Sequence, residues 1–151
     1  MEALLKKDIY KVNAEKIRIL RHSELRRGED FSTTSYLRDN DNETFHLAYV
    51  KEKKIVVCAT FYPEFSERAQ AVNAYRLRGL ATESSLQRRG YATDLMQESF
   101  KELKKRDCDV LWCNARLAAV DFYKSIGFKI IGDQFDISPI GPHNYMYKKI
   151  Y

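Results

Sequence analysis

The stretch from Ala74 to Leu103 limits the fold of this chain more than any other. Residues 74–82 alternate large and small side chains as a strand does, and a polar turn then leads to Gly90. Ala92, Leu95, Met96, Ser99, Phe100 and Leu103 follow at helical spacing, with Lys101, Glu102, Lys104 and Lys105 on the opposite face. Lys104, Lys105 and Arg106 complement the negative end of that helix. Such a unit belongs to a sheet with helices packed on its faces.

The remaining elements fit around it. Residues 4–10 read as a short strand, and Asn13 as the N-cap of a helix to about Arg27, with Ile17, Leu20, Glu24 and Leu25 on one face and Gly28 ending it. Residues 29–43 are polar and read as a loop with one helical turn at most; loops this long are more often functional than decorative. Residues 44–50 and 55–62 predict a hairpin around the charged tip 51–54, closed by Pro63. Residues 110–113 predict a short buried strand, and residues 117–126 a helix burying Ala119, Phe122, Tyr123 and Ile126 ahead of Gly127 at C′. The last strands are expected at 128–132 and 145–150, separated by a loop holding Pro139, Gly141 and Pro142. The expected order is βα, ββ, βα, βα, ββ.

Composition narrows the function classes. With 151 residues, 44% apolar and including 10 Tyr and 8 Phe, a single domain over 1–151 with its own core is expected. No run approaches the roughly 18 apolar residues of a membrane span, and residues 1–11 lack the apolar block of a signal peptide. Cys58, Cys108 and Cys113 lack metal-ligand spacing, so the expectation is a metal-free, cytoplasmic protein whose thiols act as small buried hydrophobes. The net charge of +5 is interleaved with 21 acids. No Lys/Arg block of about 5–8 residues marks a nucleic-acid arm, so nucleic acid is not the expected partner. A polyphosphate cofactor suits the basic surface better.

Gln87, Arg88, Arg89, Gly90, Tyr91 and Ala92 occupy the turn between strand and helix. A helix start leaves about four N–H groups unpaired and carries roughly half a positive charge, which favours an anion. Gly90 and Ala92 let backbone approach a phosphate, and Arg88 and Arg89 offer guanidinium groups. By itself, the same pattern equally suits a glycine that merely starts a helix.

Gly79-Leu80-Ala81-Thr82, then four residues, then Gln87-x-x-Gly90-x-Ala92 resembles the acetyl-CoA motif of the GNAT acetyltransferase superfamily. Trp112-Cys113-Asn114-Ala115-Arg116, followed by Ala119-x-x-Phe122-Tyr123-x-x-x-Gly127-Phe128, resembles that family's second half in the same order. Leu20-Arg21-His22-x-x-Leu25-Arg26, Phe45-His46-Leu47 and Ile140-Gly141-Pro142-His143 are also similar, more loosely, to an uncharacterised bacterial GNAT-type subgroup. The resemblance implies an α/β (mixed α+β) fold, a central mixed and mostly antiparallel sheet splayed between the family's strands 4 and 5 and flanked by helices. It implies direct transfer of acetyl from acetyl-CoA to a primary amine of a small molecule or peptide, in a ternary complex. Family dimers make a homodimer one option. A non-catalytic acyl-CoA sensor is the alternative reading.

Site roles follow from the same resemblance, beside blander readings. Backbone of Leu80, Ala81 and Thr82 is expected to hold the pantetheine arm, with an oxyanion N–H near Leu80 or Ala81. Gln87, Arg88, Arg89, Gly90, Tyr91, Ala92 and Thr93 are expected around the pyrophosphate. Asn114 would bond the cofactor arm, though it also reads as an N-cap. Tyr123 would hydrogen-bond the CoA sulfur as general acid, or serve only as a core aromatic. Glu83 is a water-mediated base or an exposed carboxylate, His143 is a second base candidate, and transfer without a protein base stays open. Cys113 as an acetyl carrier conflicts with its apolar setting. Arg26, Tyr36, His46, Arg76 and His143 are nominated for the acceptor site, His46 facing either substrate or water. Arg21, Arg26 and Arg76 would favour a carboxylate or phosphate on the acceptor.

Overall fold

The computed structural model describes residues 3–151; Met1 and Glu2, which head the stretch read above for a signal peptide, lie outside them. Among the described residues, eight strands and three α-helices make a mixed α/β fold whose sheet is mostly antiparallel. The chain gathers into two compact units, Met1–Tyr62 with Arg78–Glu102 and Pro63–Leu77 with Leu103–Tyr151.

In the first unit, β1 (Ala3–Lys6) and β2 (Ile9–Val12) form a hairpin where the sequence predicts one strand over 4–10. Asp8 breaks that strand by taking a left-handed backbone (φ 71), and its carbonyl accepts from the Val50 N–H at 2.8 Å. A 3-10 turn, Ala14–Ile17, leads into α1 (Arg18–Leu25), shorter at both ends than the expected helix. The polar loop holds one 3-10 turn, Phe31–Thr34. The expected hairpin is β3 (Phe45–Lys51) against β4 (Lys54–Pro63), turned by Glu52 and Lys53 at φ 49 and 65. Leu47, Ala48, Val57, Cys58 and Ala59 are all fully buried, so both faces of these strands are covered and clean alternation is lost.

β5 (Ala74–Thr82) passes from the second unit into the first, and α2 (Tyr91–Lys105) starts in the first. Val12, Ile17, Leu20, Ala48, Cys58 and Ala81 form one core, onto which Tyr10, Leu25 and Ile55 pack. Burial of each large aliphatic here contributes roughly 1.5–3 kcal/mol.

In the second unit, β5 pairs in parallel with β6 (Val110–Arg116) through Ala74↔Val110, Tyr75↔Leu111 and Arg76↔Trp112. A 3-10 turn, Leu117–Ala119, and α3 (Val120–Ser125) stand where one helix is expected. Tyr123 and Ile126 are buried, while Ala119 and Phe122 are only half-buried. Gly127 takes C′ as expected: its N–H reaches Lys124 O at 3.1 Å and the Phe128 N–H reaches Tyr123 O at 3.0 Å. β7 (Lys129–Ile137) and β8 (Gly141–Lys149) run longer than predicted, through Phe135↔His143 and Ile137↔Gly141. Gly141 and Pro142 therefore lie in a strand. Pro142 sits at the start of β8, paired with Asp136 of β7 one residue before the register with β6 begins at His143, a strand-end position where proline is tolerated. Trp112 stacks on Tyr145 at 5.0 Å, and its indole N–H reaches Glu64 O at 3.0 Å.

Of the first unit's glycines Gly28, Gly79 and Gly90, Gly79 in β5 is the one whose Cβ would meet other atoms within 4 Å. Its φ is +65, and a Cβ there would stand 3.0 Å from Tyr36 Cε2 and 3.3 Å from the Tyr36 hydroxyl. Gly79→Ala adds left-handed strain to that overlap, for an expected cost of about 1–3 kcal/mol. At roughly 2–4 °C per kcal/mol for a chain of this size, a thermal melt should fall by several degrees. An unchanged melt would show that the strand and Tyr36 separate freely.

Candidate functional site

The turn before α2 is built for access. Residues 87–90 are exposed, Arg88 takes φ +64 and Gly90 φ +86, and nothing lies within 4 Å of a Cβ built on Gly90. The first helical bond is Asp94 N–H to Gly90 O at 3.0 Å, so the N–H groups of Tyr91, Ala92 and Thr93 precede the ladder. Tyr91 rests on Tyr49 with ring centroids 4.9 Å apart, which fixes the helix start against β3. Gln87 is tied back to Thr82 O at 3.4 Å. A ligand phosphate fits this cradle: open space over the glycine, unladdered N–H groups, and two exposed guanidinium groups beside it. Next to it, the Glu83 N–H bonds Val56 O at 2.8 Å while its carboxylate accepts from the Ser85 hydroxyl at 2.5 Å.

A buried polar network lies in the same unit. Arg21 is fully buried on the inner stripe of α1. Its Nη1 donates to Thr34 O (2.8 Å) and Asp39 Oδ2 (2.7 Å), and its Nη2 to Asp39 Oδ1 (2.9 Å) and Thr60 Oγ1 (2.6 Å). Its Nε–H has no hydrogen-bond partner among the described residues. Thr60 thus accepts from Arg21 and turns its own proton to His46 Nδ1, 2.7 Å away, while His46 Nε2 donates to Asp39 O at 2.9 Å. This wiring needs a neutral imidazole. Burial pushes the His46 pKa down from 6.5, against the pull of the Asp39 carbonyl and charge and helped by the nearby Arg21. Burial alone would raise the Asp39 carboxyl, but hydrogen bonds from Arg21 and the Tyr36 N–H outweigh it and hold the acid below its ordinary 3.8.

Three guanidinium groups surround the Tyr36 ring: Arg21 at 3.9 Å, Arg78 at 4.3 Å and Arg26 at 5.7 Å from its centroid. Asp39 neutralises Arg21. Arg26 and Arg78, both half-buried, have no carboxylate partner among the described residues.

In the second unit, Tyr123 is buried beside Cys113. Burial and that neighbour push the Tyr123 phenol well above its usual range. Burial likewise pushes the Cys113 thiol up to about 12. Asn114 pairs opposite Tyr145 in the register and so shares the face of Trp112, whereas Cys113 belongs to the other face. Arg76 is taken up by Glu64 at 3.2 Å and stacks on Trp112 at 4.9 Å. His143 is buried in β8, stacked on Phe135, with Nδ1–H donating to Gly141 O at 2.8 Å; a neutral ring then leaves its lone pair on Nε2.

The family model described as "Acetyltransferase (GNAT) family" matches residues 13–128. The chain belongs to the GNAT acetyltransferase family. It is 29% identical over 143 residues to the uncharacterized N-acetyltransferase YitI of Bacillus subtilis (strain 168), covering 95% of this chain and 96% of that protein. An aminoglycoside 6'-N-acetyltransferase solved with coenzyme A superposes with a TM-score of 0.77 at 16% identity, over 95% of this chain and 97% of that one. The aminoglycoside 6'-N-acetyltransferase from Enterococcus faecium does so at 0.72, with 16% identity and the same coverage. The protein is thus an acyl-CoA N-acyltransferase of the GNAT fold, a family that takes acetyl-CoA and an acceptor.

Set on the GNAT fold, the nominated residues divide. Leu80, Ala81, Thr82, Glu83, the 87–93 turn, Arg26, Tyr36 and His46 lie in the first unit; Arg76, Asn114, Tyr123 and His143 lie in the second. His46 faces neither a ligand nor water, because both of its nitrogens are spent inside the protein. His143 stands in a strand instead of a loop. Asp39, Thr60, Thr34 and Arg78 were not nominated. Arg21 had a signal, since it falls four residues from both Ile17 and Leu25 on the buried stripe. Asp39 had none within its polar loop.

Two outcomes follow for the network. Asp39→Ala leaves Arg21 buried and unpaired, at an expected cost of about 3–5 kcal/mol, read as a lower denaturant midpoint. His46 binds a proton more readily unfolded than folded, so its stabilisation is complete above pH 6.5 and drains as pH falls through its lowered value. Asp39 adds a second loss below its unfolded value of 3.8. Melting temperature should therefore fall as pH drops below about 6.5, and fall less in His46→Gln. Equal slopes in both proteins would refute the neutral-imidazole wiring.

Proposed function

We propose that this GNAT protein acetylates a primary amine of a small molecule or peptide, taking the acetyl group from acetyl-CoA directly in a ternary complex. The observation that carries the proposal is the exposed turn at residues 87–90, with open space over Gly90 at the head of α2. There Arg88, Arg89 and the N–H groups of Gly90 to Thr93 hold phosphate oxygens, and backbone at Leu80, Ala81 and Thr82 holds the extended arm. Acetyl-CoA, when bound, supplies an activated thioester carbonyl. A backbone N–H at Leu80 or Ala81 faces the negative charge that develops on its oxygen.

An ammonium with a pKa around 10 must lose a proton before attack. Glu83 and the Nε2 lone pair of His143 are the proposed proton acceptors, and Asn114 a polar anchor for the cofactor arm. Tyr123 is the proposed donor to the departing sulfur, its hydroxyl carrying the proton that the thiolate takes up. Direct transfer is favoured over an acetyl-cysteine because a buried Cys113 thiol near 12 provides almost no thiolate at neutral pH. The three buried free thiols suit a reducing cytoplasm.

Mass spectrometry after incubation with acetyl-CoA and a library of amines, amino acids, polyamines and short peptides tests the reading. A product heavier by one acetyl group is expected. Tyr123→Phe should form it about 100-fold more slowly or worse, with acetyl-CoA affinity kept. Cofactor binding without any product would favour a sensor instead. Loss of both would overturn the assignment.

A further inference from the structure

The surroundings of Tyr36 carry more charge than the protein itself balances. Arg21 and Asp39 cancel as a bidentate pair, at 2.7 and 2.9 Å. That leaves Arg26 and Arg78 beside one ring, at 5.7 and 4.3 Å, with no carboxylate among the described residues. Arg26 spends one N–H on Leu25 O at 3.2 Å and Arg78 has only its ring contact. Glu24 of α1 is held by Ser84 at 2.7 Å. The Tyr36 hydroxyl makes no hydrogen bond among the described residues, yet it lies 3.3 Å from the Cβ position of Gly79, one residue before Leu80. Two cations held partly out of water beside one ring both attract an anion placed at its edge.

We infer that Arg26, Arg78 and the Tyr36 hydroxyl bind an anionic group on the acceptor, a carboxylate or a phosphate, so that the amine presented for acetylation belongs to an amino-acid-like molecule. The inference rests on the transfer reading above and narrows its acceptor class. Guanidinium groups suit it because they meet planar carboxylate oxygens in pairs and stay charged at any working pH. The locked Arg21 keeps the ring in place by stacking and has no free Nη to offer the ligand. Neutral amines lacking the anion would leave the two cations unpaired, which sets a specificity barrier as well as an attraction.

Binding of acetylated products separates this inference from the activity itself. Isothermal titration would use a panel of N-acetylamino acids, their carboxamides and N-acetyl phosphoethanolamine, with CoA at saturation. At least one anion should bind 10-fold or more tightly than its neutral partner. Arg78→Gln and Arg26→Gln should each erase most of that ratio, Arg78→Lys should restore part of it, and CoA affinity should hold in all four proteins. A carboxylate that binds best identifies an amino-acid acceptor, and a phosphate that binds best identifies a phosphoamine. Equal binding of acid and amide, or no anion bound, would overturn the inference. Failure of acetyl transfer with anion selectivity intact would count against the catalytic proposal instead.

Discussion

One buried ion pair organises the first unit. Arg21 carries a full charge into the interior, and its four Nη hydrogens go to Asp39, Thr34 and Thr60. Those partners belong to the polar loop and β4, while Arg21 belongs to α1, so a single guanidinium fixes three segments far apart in sequence. A buried pair of this kind adds little over an apolar replacement but is costly to break from one side. Its value is positional. The loop that carries Tyr36 cannot slide without unpairing a charge.

That constraint reaches the β5 backbone. Tyr36 is held by Arg21 on its ring and presses against Gly79, where only a residue without a side chain fits at φ +65. The strand then continues as Leu80, Ala81 and Thr82, with Ala81 anchored in the core beside Cys58 and Leu20. The helix, the loop and the strand proposed to hold the cofactor arm are therefore set by one set of contacts. The long polar loop is accordingly dense with local bonds, Arg38 to Asp41 at 2.9 Å and Thr44 to Arg38 O at 2.8 Å among them.

Much of the fold was legible in local pattern. The β5 limits, the α2 face, the β3–β4 hairpin and Gly127 at C′ follow from periodicity and turn chemistry that act over a few residues. The misses have physical causes too. Asp8 splits the first strand because a left-handed residue and a bond from Val50 outweigh its alternating pattern. β7 and β8 extend past their apolar runs because pairing to a neighbour, and not composition, decides where a ladder ends. The motif residues from Gly79 to Thr93 were readable as a cofactor turn, whereas His46 could not be assigned a side until its partners were known.

The sequence by itself determined the family, the order of strands and helices around the glycine turn, and the residues Gln87 to Thr93 that head α2. These depend on short-range geometry: the period of a strand or helix and the backbone freedom of a few small residues. Only the tertiary structure decided which charges are spent inside and which stand ready for a ligand. Arg21, Arg26, Arg76 and Arg78 look alike in a list of residues. One is locked to Asp39, one to Glu64, and two flank Tyr36 with no acid among the described residues. The difference lies in contacts between segments tens of residues apart, because electrostatic energy depends on distance and burial in space and not on separation along the chain.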